Sequence, residues 1–501
     1  MPITADTKIP KNNPNIKLQN YRHIATHGAF WNIGMAGANK VVTLVGQVAL
    51  AWILTPKDMG LAGMAIAMAG FAHFMGAGSI GDVLVQRNNY KKEAGQGFWL
   101  SITLSFITSC FVALLAPIAI WMGRRDLSKM LLILALFPLA DLPTPIFLAF
   151  LKSNLDFKNI ALSSFASGLT YTFCALVLAL LGLGPYSLII PVIPRSIASW
   201  GFMALSAKWP VIRKPQLKII NSLIRPSLAM SVIGFLNGLQ TQAPIFFVGL
   251  ILDPQSVGYF TWGWMVASQA VFLLSINLRQ ILMPVFVKLG MDPNRQAVAT
   301  LKAAKAITLV LIFACGLQAL IAEPLLHRFF PTKWHASGSV ITWISLGLAF
   351  QGIYTCVVSW LNAIGSYRML LFLTILQVTL GTGMAYLGAT ITSVQGASQG
   401  CAVGLALVSF FSLACMPWDK IKMEINFFSL VILICGISWY ALHSFSENSS
   451  SLIILFICIF IFSTVNILVW FSFGDEQFKN ILRNAASKVL NRLNLVNKYG
   501  L

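Results

Sequence analysis

The sequence predicts an all-α, polytopic membrane protein: about 14 transmembrane helices in two parallel-repeat six-helix lobes, followed by two C-terminal helices. Three observations carry this. The composition is overwhelmingly apolar, membrane-length apolar runs recur almost end to end, and one motif returns 198 residues later.

Of 501 residues, 57% are hydrophobic and 10% charged, and the mean hydropathy is +0.77. That excludes a water-soluble core. A hydrocarbon layer of about 30 Å needs roughly 20 apolar residues in helix. The runs that meet this condition are spans 1 to 14, at 29–54, 59–81, 98–122, 130–151, 160–182, 184–206, 222–252, 258–283, 304–323, 338–362, 369–389, 392–416, 426–445 and 451–472. The polar first 28 residues have no short apolar core followed by a small-residue cleavage site, so they are expected to be a cytoplasmic segment and not a signal peptide.

A net charge of +20 raises nucleic acid as a partner, but the basic residues sit between spans and form no patch interleaved with aromatics. Alternate connections collect them. One side takes 26 of the 35 Lys and Arg residues, including Lys91, Lys92, Lys152, Lys158, Lys214, Lys218, Arg225 and Arg295. The other side has six: Lys57, Arg124, Arg125, Lys129, Arg328 and Lys333. The positive-inside rule then places both termini in the cytoplasm of a bacterial inner-membrane protein. All eight cysteines, Cys110 to Cys458, lie in apolar spans without zinc or disulfide spacing, so they are expected to pack, and no metal site is expected.

Ile53-Leu54-Thr55-Pro56-Lys57-Asp58-Met59-Gly60 returns as Ile251-Leu252-Asp253-Pro254-Gln255-Ser256-Val257-Gly258. Six spans separate the copies, and an even number preserves membrane direction, so the repeats are parallel. The expected organisation is a cytoplasmic N-terminal segment (1–28), an N-terminal lobe (29–206), an inter-lobe linker (207–221), a C-terminal lobe (222–416), an appended helix pair (417–472) and a cytoplasmic tail (473–501). The short connections on the non-cytoplasmic side leave no room for a folded external domain.

Several stretches resemble the oligosaccharide flippases of the polysaccharide transport type, within the multidrug/oligosaccharidyl-lipid/polysaccharide exporter superfamily. They are Ala51-Trp52-Ile53-Leu54-Thr55-Pro56-Lys57-Asp58-Met59-Gly60-Leu61-Ala62, Ile80-Gly81-Asp82-Val83-Leu84-Val85-Gln86-Arg87 and Gly97-Phe98-Trp99-Leu100, with weaker echoes at Phe150-Leu151-Lys152-Ser153-Asn154-Leu155-Asp156-Phe157-Lys158 and Pro331-Thr332-Lys333-Trp334. At the last, Pro331 and Thr332 depart from the family's usual glycine before Lys-Trp. The resemblance covers residues 25 to 420. It implies a two-lobed fold with a cavity opening alternately to each side, and as cargo an undecaprenyl-pyrophosphate-linked oligosaccharide for O-antigen, capsule or exopolysaccharide synthesis. Membrane lipids, polysaccharide polymerase and co-polymerase are the partners it implies.

Ionisable groups at mid-membrane are costly and mark function by default. Lys40 lies about 11 residues, or roughly 16 Å, into span 1, too deep to snorkel. Asn32, Asn39, Thr43 and Gln47 recur along the same helix, and span 7 repeats the pattern with Asn237, Gln240 and Thr241. These stripes line a cavity or, alternatively, join helices by hydrogen bonds. Arg195 and Asp141 sit equally deep beside prolines. Either they pair across broken helices, or Arg195 binds phosphate and Asp141 carries a coupling ion, H⁺ or Na⁺. Arg279 lies near the cytoplasmic end of span 8, within reach of headgroups or cargo. His73, mid-span in Phe71-Ala72-His73-Phe74, is expected to pack, with proton relay as the alternative. The candidate substrate-binding set is therefore Lys40, Arg195, Arg279, Asn39, Asn237 and Gln240, with no catalytic residue and no cofactor. A cation-coupled multidrug exporter would favour carboxylates in the cavity, where Asp141 is the only clearly mid-span acid. An intramembrane glycosyltransferase or ligase would need convergent acids, bases or metal ligands, which the sequence lacks.

Overall fold

The computed structural model describes residues 14–74, 78–87, 90–121, 123–207, 214–271, 293–417, 431, 434–444 and 452–473. Every regular element among them is helical. Eight helices are long and apolar enough to cross a membrane, or nine if the bent pair Thr332–Leu348 and Gln351–Ala363, which meet at 41°, forms one span. The expected count of about 14 is not reached by these alone. One long helix carries two of the expected spans, and spans 8 and 13 lie partly outside the described residues.

The helices used below are α1 (Pro14–Ile53), α2 (Pro56–Phe74), α3 (Gly78–Arg87), α4 (Tyr90–Trp121), α5 (Arg125–Leu134), α6 (Phe137–Ala140), α7 (Thr144–Ser153), α8 (Phe157–Leu180), α9 (Tyr186–Ile189), α10 (Val192–Ser206), α11 (Leu217–Ile251), α12 (Pro254–Val271), α13 (Pro293–Phe329), α14 (Ser337–Leu348), α15 (Gln351–Ala363), α16 (Tyr367–Leu413) and α17 (Leu452–Phe473). The chain divides into two compact units. The first holds Met1–Leu54 and Met68–Phe235, the second Thr55–Ala67 and Leu236–Leu501.

In the first unit spans 4 and 6 are broken at the prolines, as their residues led one to expect. Proline removes a backbone donor and clashes with the preceding turn. Pro138, Pro143 and Pro145 accordingly split span 4 into α5, α6 and α7, and Pro191 separates α9 from α10. Carbonyls opened at such breaks have no water to turn to inside a bilayer and need another donor. Side chains from neighbouring helices supply it. Ser109 donates to Ala135 O, Trp200 Nε1 to Ala140 O at 3.0 Å, Ser101 Oγ to Leu142 O at 3.0 Å and Tyr171 OH to Leu188 O at 3.2 Å. The buried core of this unit joins Ile80, Val83 and Leu84 of α3 to Ile146 and Ala149 of α7 and Leu223 of α11.

In the second unit the two copies of the repeated motif meet. In the first copy Thr55 and Asp58 form a reciprocal N-cap: the Asp58 carboxylate accepts from Thr55 N at 3.0 Å, and Thr55 Oγ1 accepts from Asp58 N at 3.3 Å. In the second copy Asp253 itself caps, accepting from Gln255 N at 3.0 Å and Ser256 N at 3.2 Å. Both caps open a helix whose glycine, Gly60 in α2 and Gly258 in α12, presses against the other's first turn.

The α16 helix has non-helical dihedrals at Thr392 and Ser393. Its arms fold back on each other, with Gly388 against Gly396, Gly400 against Met384 and Gly404 against Leu380. This hairpin accounts for expected spans 11 and 12. Only hydrogen side chains let the backbones approach so closely. The appended α17 packs on α13, with Phe462 against Gly316 and with Ala319, Leu320, Trp439 and Cys458 in one buried cluster. All eight cysteines are free.

Candidate functional site

The broken spans of the first unit carry two ionisable groups, Asp141 and Arg195, beside their breaks. Asp141 follows α6 directly, and its carboxylate accepts from Thr144 Oγ1 at 2.8 Å, in the first turn of α7. Thr144 N closes the same turn on Asp141 O at 3.0 Å. Asp141 is thus engaged by its own break. Arg195, on α10, acts on the Asp141 charge through space, but among the described residues the two form no ion pair within 4.0 Å. The guanidinium instead lies over the Tyr171 ring of α8, with Cζ 5.7 Å from the centroid. Arg195 is exposed, and among the described residues it makes no hydrogen bond. A pair buttressing two broken helices is therefore not the arrangement here.

The α8 helix also packs against α1. Asn39 is half-buried, with its Oδ1 against Gly168, where that oxygen is buried without a hydrogen-bond donor. Gly46 meets Thr172 one to two turns along. The polar stripe of α1 thus turns Asn39 toward a helix contact. Lys40 is half-buried and points about 100° further round the helix, away from the Asn39 face. Residues 168–172 of α8 are therefore touched by Asn39 and Gly46 and, at Tyr171, by Arg195.

In the second unit Gln240 Nε2 donates to Tyr354 OH at 3.2 Å, Thr241 Oγ1 donates to Gly238 O at 3.0 Å, and Asn237 is exposed. Arg279 lies outside the described residues. Among the described residues no group of three or more His, Cys, Asp or Glu side chains is arranged to hold a metal ion.

The motifs that carry the family resemblance do structural work in the first unit. Lys152 Nζ and Asp82 pair at 2.8 Å, and a Cβ on Gly81 would lie 2.6 Å from Pro145 O, so α3 and α7 can approach this closely only at glycine. Asp156 caps α8 by accepting from Asn159 N at 3.3 Å. Arg87 meets Glu93 at 3.5 Å and donates to Ser222 Oγ at 3.1 Å. The buried Gln96 side chain clips the segment before α11 by donating to Lys214 O at 3.0 Å and accepting from Gln216 N at 2.8 Å. Sequence reasoning missed Tyr171 and Trp200. Two amphipathic aromatics at mid-span were the available signal, since each needs a polar partner in an apolar layer.

The apolar helix lengths and the side-chain-capped breaks define a multi-pass α-helical membrane protein, and solved structures specify its fold. The structure resembles the inward closed conformation of the lipid II flippase MurJ with a TM-score of 0.67, at 14% identity, covering 89% of this chain and 98% of that one. It also resembles the inward-facing conformation of a multidrug resistance MATE family transporter of the MOP superfamily with a TM-score of 0.62, at 14% identity, covering 77% and 95%. The fold is that of this superfamily. By sequence, the succinoglycan biosynthesis transport protein ExoT of Rhizobium meliloti strain 1021 is 22% identical over 400 residues, 78% of this chain and 80% of that protein. The chain belongs to the polysaccharide biosynthesis protein family, which matches residues 49–339, more than half of its length.

Proposed function

We propose that the protein flips an undecaprenyl-pyrophosphate-linked oligosaccharide across the bacterial inner membrane by alternating access, supplying O-antigen, capsule or exopolysaccharide synthesis. The observation that carries the reading is Arg195: a mid-span guanidinium with no hydrogen bond among the described residues, in a polysaccharide biosynthesis protein folded like a lipid II flippase. A cation held at that depth is costly unless a ligand or water satisfies it, and guanidinium geometry suits phosphate oxygens. Lys40, Arg279, Asn237 and Gln240 complete the proposed cargo set, with Asn39 given over to the contact with α8; Asp141 takes up the coupling H⁺ or Na⁺, and polymerase and co-polymerase receive the product. The basic split of the loops supports cytoplasmic termini, and cysteine labelling of Lys214 or the C-terminus from outside would refute that orientation.

Reconstituted liposomes carrying a fluorescent undecaprenyl-pyrophosphate oligosaccharide test the function: the label should become accessible from the opposite leaflet only with protein present. The MATE likeness supports a second reading, export of lipophilic cations. Uptake of such cations with no lipid movement would establish that reading instead. Within the flippase reading, Lys40→Ala should lower cargo affinity by roughly 10- to 100-fold, the loss of one charge-assisted bond. Lys40→Glu should be worse. Wild-type surface polysaccharide from Lys40→Gln cells at normal protein level would reject the role.

A further inference from the structure

We propose that Tyr171 is a positioning residue of the anion site: its ring holds the Arg195 guanidinium so that the in-plane donors stay available to a phosphate oxyanion. The proposal rests on the flippase reading and adds to it the element that makes Arg195 usable.

An arginine in the middle of a span has two ordinary ways to be stabilised. It can form a contact ion pair with a carboxylate, which occupies its donors, or it can donate to backbone carbonyls opened by a helix break, which does the same. Both partners are close at hand, and neither is used. Asp141 is taken up by Thr144 Oγ1 at 2.8 Å and acts on Arg195 only from a distance. The carbonyls at the breaks are taken by Ser109, Trp200, Ser101 and Tyr171. The guanidinium rests over an aromatic ring, with Cζ 5.7 Å from the centroid, within the range where a π-face attracts a cation. Among the described residues no oxygen acceptor takes up a guanidinium N–H, so this contact leaves the strong donors of Arg195 to a ligand.

Tyr171 is itself fixed. Its hydroxyl donates to Leu188 O, at the break between α9 and α10 and seven residues before Arg195, at 3.2 Å. One side chain of α8 therefore both seals the break and supports the cation that follows it. The ligand chemistry is an oxyanion with at least two acceptor oxygens, which a pyrophosphate diester provides.

The test is equilibrium binding of fluorescent undecaprenyl pyrophosphate to the full-length protein in nanodiscs. Tyr171→Leu should weaken binding roughly 3- to 30-fold, the range of a partly desolvated cation–π contact. Tyr171→Phe and Tyr171→Trp keep the ring and should stay within about 3-fold of wild type. In an Arg195→Ala background, Tyr171→Leu should change nothing further, an outcome a merely structural tyrosine would not give. Equal losses in both backgrounds, or wild-type affinity for Tyr171→Leu, would overturn the role of Tyr171 alone. No binding by the wild-type protein would overturn the flippase reading together with it.

Discussion

Replacing Gly258 by alanine probes the contact between the repeated motifs. A Cβ there would fall on the carbonyl oxygen of Pro56 and 3.0 Å from Pro56 Cα; a Cβ on Gly60 would fall on Pro254 O and 2.8 Å from Gly258 N. The obstacles are backbone atoms, so no rotamer change relieves them. Moving the Pro56 carbonyl carbon from 2.5 Å to ordinary contact at 3.4 Å requires the helices to part by at least about 0.9 Å. Overpacking of this kind costs up to about 3 kcal/mol, and alanine returns about 1 kcal/mol of helix propensity, for a net loss of about 2 kcal/mol. Parting the helices also loosens Gly63 against Thr261. Gly37→Ala is the control, because a Cβ there meets nothing within 4 Å; it should stabilise by up to about 1 kcal/mol. Denaturant unfolding in detergent micelles measures both. Gly60→Ala should match Gly258→Ala, and the double variant should cost less than their sum, since helices parted for one methyl admit the other. If Gly258→Ala is as stable as Gly37→Ala, the packing argument is wrong.

Two further substitutions test local features by the same unfolding assay. Trp200→Phe removes the donor to Ala140 O and should cost about 1–3 kcal/mol for an orphaned carbonyl in an apolar layer, whereas Trp52→Phe, at an exposed position, should stay within about 0.5 kcal/mol; equal effects would discount the capping role. Ser393 holds φ 62° and ψ −139° at the turn of the α16 hairpin, a conformation open to glycine, so Ser393→Gly should stabilise by about 1 kcal/mol, and a loss would refute the strain.

Much of the architecture was legible because its causes are local. Span lengths follow from hydropathy, and the prolines beside Asp141 and Arg195 mark where spans 4 and 6 break. The hairpin in α16 was legible as two spans, although helix periodicity continues across Thr392 and Ser393 with only a dihedral reversal between them. The family also showed in contiguous motifs, yet those motifs turn out to dock helices, as Asp82 does with Lys152.

The site was legible only in part. Sequence depth singled out Lys40, Arg195 and Asp141, because the cost of a buried charge depends on its distance from the interface, and that distance is counted in residues. Sequence spacing put Asn39 on one polar stripe with Lys40, but the α8 contact at Gly168 claims the asparagine. Whether Arg195 meets Asp141 or Tyr171 could not be read from the chain, because the three residues come from three helices. Their meeting depends on how α8 and α10 pack and on which side chain fills each proline break. The sequence by itself determined that charges lie within the membrane; the tertiary structure decided that Thr144 holds the carboxylate and a tyrosine ring the guanidinium, because partner choice is set by contacts between distant segments and hydropathy is not.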